Sequence, residues 1–146
     1  MNNVYPLEKF YIYFSPYTAH TLNINWIVYP TLEHAYQCQK YEDTEIIKEI
    51  IEAPSPIKAR EISNKYKHLQ IPEFQKMKID IMKMLMKIKL EQHDDVRKAL
   101  IESKNLDIIK HIVTYPPGDW FWDDWEDGKW LNHIGKIWME IRKQII

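Results

Sequence analysis

The sequence has few cysteines and glycines and no long apolar run, and each of these absences excludes a class of protein. The single Cys38 cannot form an internal disulfide and is compatible with a reducing compartment. Only 3 Gly against 8 Pro argue against a disordered or low-complexity chain. Since the chain has no run of 18 apolar residues and no signal-peptide core at its N-terminus, we expect a cytoplasmic protein with no membrane partner.

Charge and histidine spacing exclude further classes. A net charge of −1 gives no general attraction to DNA or RNA, so nucleic-acid binding requires a local patch. Five lysines between positions 74 and 90 offer such a patch, although a solvated helix face is the preferred explanation: Lys76, Lys78, Lys83, Lys87 and Lys89. The six His and the one Cys form no cluster with ligand spacing, so no metal and no other cofactor is expected.

The length of 146 residues and the 45% hydrophobic content predict a single domain, residues 1–146. The predicted fold class is α+β and mainly helical, with a small β element and five or six packed helices. Aromatic and β-branched residues predict two N-terminal strands, KFYIYFS (9–15) and WIVYP (26–30), with a hairpin or wider connection between them. A later strand is predicted at LDIIKHIV (106–113).

The predicted helices follow from apolar spacing and capping residues. Ser55 and Pro56 provide an N-cap followed by a first-turn proline, and Pro72 begins the next helix in a similar way. Apolar residues then recur every three or four positions from Phe74 to Ile88. The resulting helices span about 31–41, 43–53, 56–66, 74–91 and 94–103, and a final one begins near Asn132.

The helix predicted after Pro30 begins with unusually polar chemistry. Glu33, Tyr36, Gln37 and Lys40 are spaced i, i+3, i+4 and i+7, so they share one face. Such a face is either an ordinary solvated surface or a site.

The second unusual stretch is YPPGDWFWDDWEDGKWLNHIG (115–135), which contains four of the six Trp. It also contains five acidic residues, Asp119, Asp123, Asp124, Glu126 and Asp127. Indole rings among carboxylates suit stacking on a base or a sugar. The alternative is a long loop that covers the sheet with indoles.

Together these stretches resemble the NADAR family, named for NAD and ADP-ribose. The family pattern Tyr-Pro-Thr-x-Glu-His-x-Tyr-Gln-x-x-Lys appears as YPTLEHAYQCQK (29–40), after an aromatic turn FSPY (14–17). APSPIKAR (53–60) and DWFWDDW (119–125) follow in the family's order, and the similarity continues through Asn132, Ile134-Gly135, Met139 and Arg142. Pro16 stands where the family has Asn, and Asp123 and Trp125 stand where it has Gly.

The resemblance implies hydrolysis of an N-glycosidic bond, in ADP-ribosylated guanine of nucleic acid or in a riboflavin-pathway intermediate. Glu33 is then the predicted carboxylate that stabilises the oxocarbenium-like transition state or activates water. Asp124 or Asp119 is the predicted second group that assists the departing nitrogen. Lys40 is predicted to bind phosphate, to hold Glu33 ionised, or to form a Schiff base with a ring-opened ribose.

The resemblance also implies the binding residues. Tyr36, Trp122 and Phe14 are expected to stack on the base or the sugar. Gln37 and Asn132 are expected to bond its polar edge, and Ser15 belongs to the same binding turn. Asn132 has a simpler alternative as a helix N-cap. For His34, a hydrogen bond in the core is the preferred interpretation.

Two functions remain open at this point. The first is an N-glycosidase whose partners are a nucleotide or ADP-ribosyl ligand, including ADP-ribosylated DNA or RNA. The second is a module that binds NAD or ADP-ribose without cleaving it. A plain helical interaction protein ranks last, because it does not explain the polar and aromatic residues at the family's spacing.

Overall fold

The computed structural model describes residues 5–108 and 132–145. The chain divides into two compact units, one formed by residues 16–93 and the other by residues 1–15 together with 94–146. The predicted single domain over 1–146 therefore stays a prediction. The described elements are α1 (Leu7–Tyr13), β1 (Leu22–Ile24), β2 (Ile27–Tyr29), α2 (Leu32–Cys38), α3 (Thr44–Ile51), α4 (Pro56–Lys65), a 3-10 turn (Lys67–Leu69), α5 (Phe74–Gln92), α6 (Asp94–Glu102) and α7 (His133–Ile145).

The unit of residues 16–93 is built around α2, which packs against α3, α4 and α5. The helix starts are defined by side-chain caps. Asp43 accepts hydrogen bonds from the backbone N–H groups of Glu45 and Ile46, and Ser55 accepts one from that of Lys58. These caps satisfy N–H groups that have no partner within the helix, which is why the predicted starts of α3 and α4 are confirmed.

A two-stranded antiparallel hairpin precedes α2 in this unit. β1 pairs with β2 in a register that leaves Asn25 and Trp26 as the two-residue turn. Both turn residues have positive φ, 51° and 69°, as a type I′ turn requires. Trp26 is 96% exposed, and it occupies a position where glycine is the least strained residue.

The hairpin corrects two sequence predictions. The strand predicted within WIVYP (26–30) is present as β2, in which Ile27 and Val28 are exposed. Its partner β1 lies inside the segment that was predicted to be the connection. The strand predicted over residues 9–15 is wrong, because most of it belongs to helix α1.

The other unit contains α1, α6 and α7, and aromatic packing explains why residues 7–13 are helical. Phe10 and Phe14 are four positions apart and both are fully buried. Phe14 packs its ring on Tyr5 and on Trp138, each at 5.2 Å between centroids. The Trp138 indole N–H also donates to the Phe14 carbonyl at 3.0 Å. Burial of these rings at helical spacing outweighs the β propensity of the segment.

The segment before α7 makes a close backbone contact with Ile108 in the same unit. The Asn132 side chain donates to the Ile108 carbonyl at 3.2 Å. A Cβ on Gly135 would overlap that carbonyl oxygen and would also lie 2.5 Å from the Asn132 amide nitrogen. Arg142, on the same helix, donates to the Ser103 hydroxyl and to the Leu106 carbonyl, both at 2.8 Å. The small residue and the guanidinium therefore fasten α7 to the chain that follows α6.

The mainly helical α+β class with a small two-stranded sheet is confirmed. The strand predicted at 106–113 lies largely outside the described residues. In the part of it that is described, the Asp107 carbonyl accepts a hydrogen bond from the Tyr5 N–H at 2.8 Å. No helix in the described ranges is long and apolar enough to cross a membrane.

Candidate active site

The first turn of α2 is held at two points. The Thr31 hydroxyl accepts from the His34 N–H at 3.2 Å, which caps the helix. The Pro16 carbonyl accepts from the Glu33 N–H at 3.1 Å. Proline lacks an N–H but keeps its carbonyl, so the residue that departs from the family pattern still binds the start of this helix.

Glu33 and Gln37 form a buried pair on α2. Glu33 is 7% exposed and Gln37 is 3% exposed, so the polar face is not the solvated surface that was the ordinary alternative. The Gln37 amide donates to Glu33 Oε1 at 2.7 Å. This contact fixes the carboxylate, because a hydrogen bond to a charged acceptor is short and strong. Among the described residues Gln37 is the one that bonds the carboxylate, and Oε2 is left for a water or a ligand.

The carbonyl oxygen of the same amide carries a second signal. Gln37 Oε1 is buried and, within the described ranges, has no hydrogen-bond donor. A buried acceptor without a donor destabilises the folded protein by about 1–3 kcal/mol. Such an atom is expected where a ligand supplies the missing N–H or O–H.

Lys40 lies just beyond the end of α2, beside two aromatic rings. Its ammonium is 5.2 Å from the centroid of Tyr36 and 5.6 Å from that of Phe74, within the range of a cation–π interaction. The two rings meet edge to face at 5.4 Å. The backbone of Lys40 is also fixed, because its carbonyl accepts from the Ile71 N–H at 2.8 Å. The half-buried cation therefore occupies a defined place one turn beyond Gln37.

Phe74 was not predicted as a site residue. The sequence placed it in the apolar stripe of α5, and a contact with Lys40 depends on how α5 packs against α2. No local pattern signals such a contact.

His34 is a core histidine, as preferred from the sequence. It is 1% exposed, and its two ring nitrogens lie 2.8 Å from the Thr31 hydroxyl and 3.0 Å from the Ala53 carbonyl. The carbonyl accepts only, so Nε2 carries the proton. With both nitrogens bonded, this ring serves to fix α2 rather than to transfer protons.

Two of the motifs quoted above meet around α2. The His34 ring contacts the carbonyl of Ala53, the first residue of APSPIKAR (53–60). Arg60, the last residue of that motif, donates to the hydroxyl of Tyr17, in FSPY (14–17), at 3.4 Å. Both motifs also bond α2 directly, through the Ala53 carbonyl to His34 and through the Pro16 carbonyl to Glu33.

Cys38 is buried at the other end of α2. Burial raises the pKa of its thiol from 9.0 to about 12. The Sγ atom lies 3.7 Å from the Ile47 carbonyl, to which the thiol donates. A thiol that keeps its proton is a poor nucleophile, so Cys38 serves packing.

Three predicted binding residues lie in the unit that contains α1 and α7. Phe14 and Ser15 are buried, and Phe14 is enclosed by other aromatic rings. Asn132 has a φ of 50° and its carbonyl accepts from the Lys136 N–H, as the residue before a helix does. Their roles in ligand binding stay predictions. Asp119, Trp122 and Asp124 lie outside the described residues.

Comparisons with known proteins agree on one family. A model of the NADAR domain matches residues 2–146. The N-glycosidase YbiA of Shigella flexneri is 30% identical over 144 residues, which cover 98% of this chain and 87% of that protein. A riboflavin biosynthesis protein of Vibrio vulnificus, VVA0006, is 23% identical and covers 86% of this chain, but the match spans 33% of that longer protein.

A solved structure is also similar. The NMR structure of YbiA from E. coli has a TM-score of 0.82 and is 26% identical. The similarity covers 99% of this chain and 86% of that one. The fold described above is therefore that of YbiA.

Proposed function

We propose that this chain, which belongs to the NADAR domain family, is an N-glycosidase that hydrolyses the bond between ribose C1 and a base or amine nitrogen. The match of the NADAR domain model to residues 2–146 confirms the predicted family. The predicted enzyme class, a hydrolase of N-glycosyl bonds, agrees with the names of its relatives, which are N-glycosidases.

The observation that carries the proposal is the buried Glu33–Gln37 pair. Cleavage of an N-glycosidic bond develops positive charge on the ribose ring, and a fixed carboxylate stabilises that charge. Gln37 holds Oε1 of Glu33 at 2.7 Å, so Oε2 can face the anomeric carbon or an attacking water. A carboxylate fixed before the reaction needs little reorganisation in the transition state.

The neighbouring groups suit a nucleotide substrate. Gln37 Oε1 is an acceptor for a substrate hydroxyl or N–H. The Lys40 cation is suited to a phosphate, and its alternative roles remain in the proposal: support of the Glu33 charge, or attack on a ring-opened ribose aldehyde. Asp124 or Asp119 remains the proposed group that protonates the departing nitrogen.

The proposed substrate is either ADP-ribosylated guanine in DNA or RNA or a ribosylated intermediate of riboflavin synthesis, in the cytoplasm. The name of the Vibrio relative supports the second class. A net charge of −1 gives no general attraction to a polyanion, so the first class depends on local cations. Lys89 is fully buried, which leaves four lysines of α5 for this role: Lys76, Lys78, Lys83 and Lys87. Binding of NAD or ADP-ribose without turnover is the alternative.

The test is a product assay by mass spectrometry. The parent protein is incubated with DNA that carries ADP-ribosylated guanosine and, separately, with the ribosylamino-uracil intermediate of riboflavin synthesis. Released ADP-ribose or ribose phosphate identifies the substrate class.

Glu33→Gln is the informative variant. Its new amide carbonyl can still accept from Gln37, so the fold and ligand affinity should persist while turnover falls by roughly 1000-fold or more. Glu42→Gln makes the same chemical change at an exposed position of the same segment and should keep parent activity. Parent-like cleavage by Glu33→Gln would remove Glu33 from the mechanism, and no product from either substrate with ADP-ribose still bound would establish the non-catalytic alternative.

A further inference from the structure

We propose that one face of α5 is a dimerisation surface, on which a second copy of this chain packs its own α5 in antiparallel orientation. Four apolar residues on this helix recur at alternating intervals of four and three positions: Met77, Ile81, Met84 and Ile88. At about 100° per residue these side chains form one line along the helix, which we call the outer stripe. The spacing is that of the a and d positions through which two helices pack in a coiled coil.

The outer stripe is separate from the face of α5 that packs within its own unit. That inner face lies against α2 and β1. In the outer stripe Met77 is 43% exposed and Met84 is 44% exposed, and Ile81 and Ile88 are half-buried. A surface helix usually carries apolar residues on a single stripe, so a second and partly exposed stripe indicates a surface that another molecule covers. The buried residues of the inner face include Met82, Leu85, Met86 and Leu90.

The charges beside the outer stripe favour a second copy in antiparallel orientation. With Ile81 at an a position and Met84 at a d position, Asp80 and Lys87 are both g positions. Antiparallel helices bring the g positions of the two copies together. When Ile81 packs against Met84 of the second copy, Asp80 therefore lies opposite Lys87 of the second copy. A two-fold axis repeats every contact, so this interface contains the ion pair twice.

Other arrangements satisfy these charges less completely. In a parallel pair a g position faces an e position, so Asp80 would face Leu85 of the second copy, which is apolar and buried. A nucleic acid would be attracted by Lys87 but repelled by Asp80, because both lie on the same side of the outer stripe. Only the antiparallel pair gives each of these two charges an opposite partner.

The size of the surface indicates a weak dimer. The outer stripe extends over about 17 Å, since a helix rises about 1.5 Å per residue between Met77 and Ile88. One helix face of this length buries less area than a standard stable interface, and small interfaces are typical of transient complexes. We therefore expect a dissociation constant of about 10–100 µM.

The test is sedimentation equilibrium of the tag-free full chain, whose monomer has a mass of 17.8 kDa, at concentrations from about 5 to 500 µM. Met84→Glu places a charge in the centre of the outer stripe and should weaken the dimer at least about tenfold. Ile79→Glu is the matched control. Ile79 is 39% exposed on the same helix but lies outside the outer stripe, so this variant should dimerise like the parent.

Charge reversal tests the antiparallel orientation. Asp80→Lys and Lys87→Glu each place like charges at both copies of the ion pair, and each should weaken the dimer about fivefold or more. The double variant restores opposite charges in exchanged places and should return to within about twofold of the parent affinity. Asp80 is exposed and Lys87 is half-buried, so the variants should fold, which circular dichroism verifies.

The proposal is overturned if the parent protein remains monomeric at about 500 µM, in which case the outer stripe has a different partner or none. A dimer that Met84→Glu and Ile79→Glu weaken equally would place the interface elsewhere. A double charge variant that dimerises no better than the single variants would exclude the antiparallel pairing of α5.

Discussion

Replacement of Gln37 by methionine should separate activity from stability. The side chain of methionine has a similar volume, so the change removes the amide without opening a large cavity. The lost contact is the 2.7 Å hydrogen bond to Glu33 Oε1. A hydrogen bond to a charged group contributes about 1.5–3 kcal/mol, and if the transition state depends on the fixed carboxylate, kcat/KM should fall roughly 10- to 150-fold.

The stability of the same variant should change much less. Methionine also removes the buried carbonyl Oε1 of Gln37, which lacks a donor among the described residues and costs the folded state about 1–3 kcal/mol. This gain opposes the loss of the bond to Glu33. The free energy of unfolding should therefore stay within about 2 kcal/mol of the parent value.

The assay combines steady-state kinetics on the substrate identified above with urea denaturation. Gln39→Met makes the same chemical change two residues later, at a half-buried position where the helix has ended, and should keep parent kinetics. A folded Gln37→Met protein with kcat/KM within about threefold of the parent would refute the positioning role. An equal loss in Gln39→Met would refute it as well.

Three further predictions concern other residues. Burial raises the pKa of the Cys38 thiol to about 12, so its thiolate fraction at pH 8 is about 1000-fold below that of an ordinary thiol. Iodoacetamide should therefore label Cys38 at least about 1000-fold more slowly in native protein than in denatured protein. Since only the native state retains this proton above pH 9, stability should also fall as the pH rises from 9 toward 12, and less so in Cys38→Ala. Gly135→Ala forces a Cβ against the Ile108 carbonyl and should cost about 3 kcal/mol, measured as a lower urea midpoint; a parent-like midpoint would contradict this close approach. Trp26 has a positive φ of 69° and its side chain is almost fully exposed, so Trp26→Gly should stabilise the hairpin by about 0.5–1 kcal/mol. A destabilised variant would show that the indole makes contacts in solution.

The helices could be predicted from sequence because their signals are local. Ser55 with Pro56, and Asp43 three residues before Ile46, mark helix starts whichever surface the helix covers. The strand predicted over residues 9–15 was wrong for the opposite reason. Its aromatic and β-branched residues favour a strand, but burial of Phe10 and Phe14 beside Trp138 is a tertiary effect.

The turn of the hairpin was missed because its chemistry is unusual. Asn25 fits a positive φ, whereas Trp26 is among the least expected residues at the second position. A search for Asn-Gly or Asp-Gly pairs therefore passes over this turn.

The candidate site shows the same division between local and distant signals. The bond between Glu33 and Gln37 follows from their i, i+4 spacing. The contact of Lys40 with Phe74 joins two segments that are far apart in the sequence. Such contacts depend on how the helices pack, and a single sequence does not encode that packing in a readable pattern.

The burial of α2 favours an enzyme over a plain helical interaction protein. Every residue from Leu32 to Cys38 is buried, so this helix lies in the interior of its unit. An interior helix selected for stability alone would carry apolar residues in place of Glu33 and Gln37, because burying their polar atoms is unfavourable. A polar pair in which one acceptor lacks a donor among the described residues is instead what a binding site retains for its ligand. The same reasoning allows a module that binds its ligand without cleaving it, and only the carboxylate distinguishes that module from an enzyme. A site that merely binds an uncharged ribose gains little from a fixed anion. A transition state with positive charge on the ribose is stabilised strongly by it.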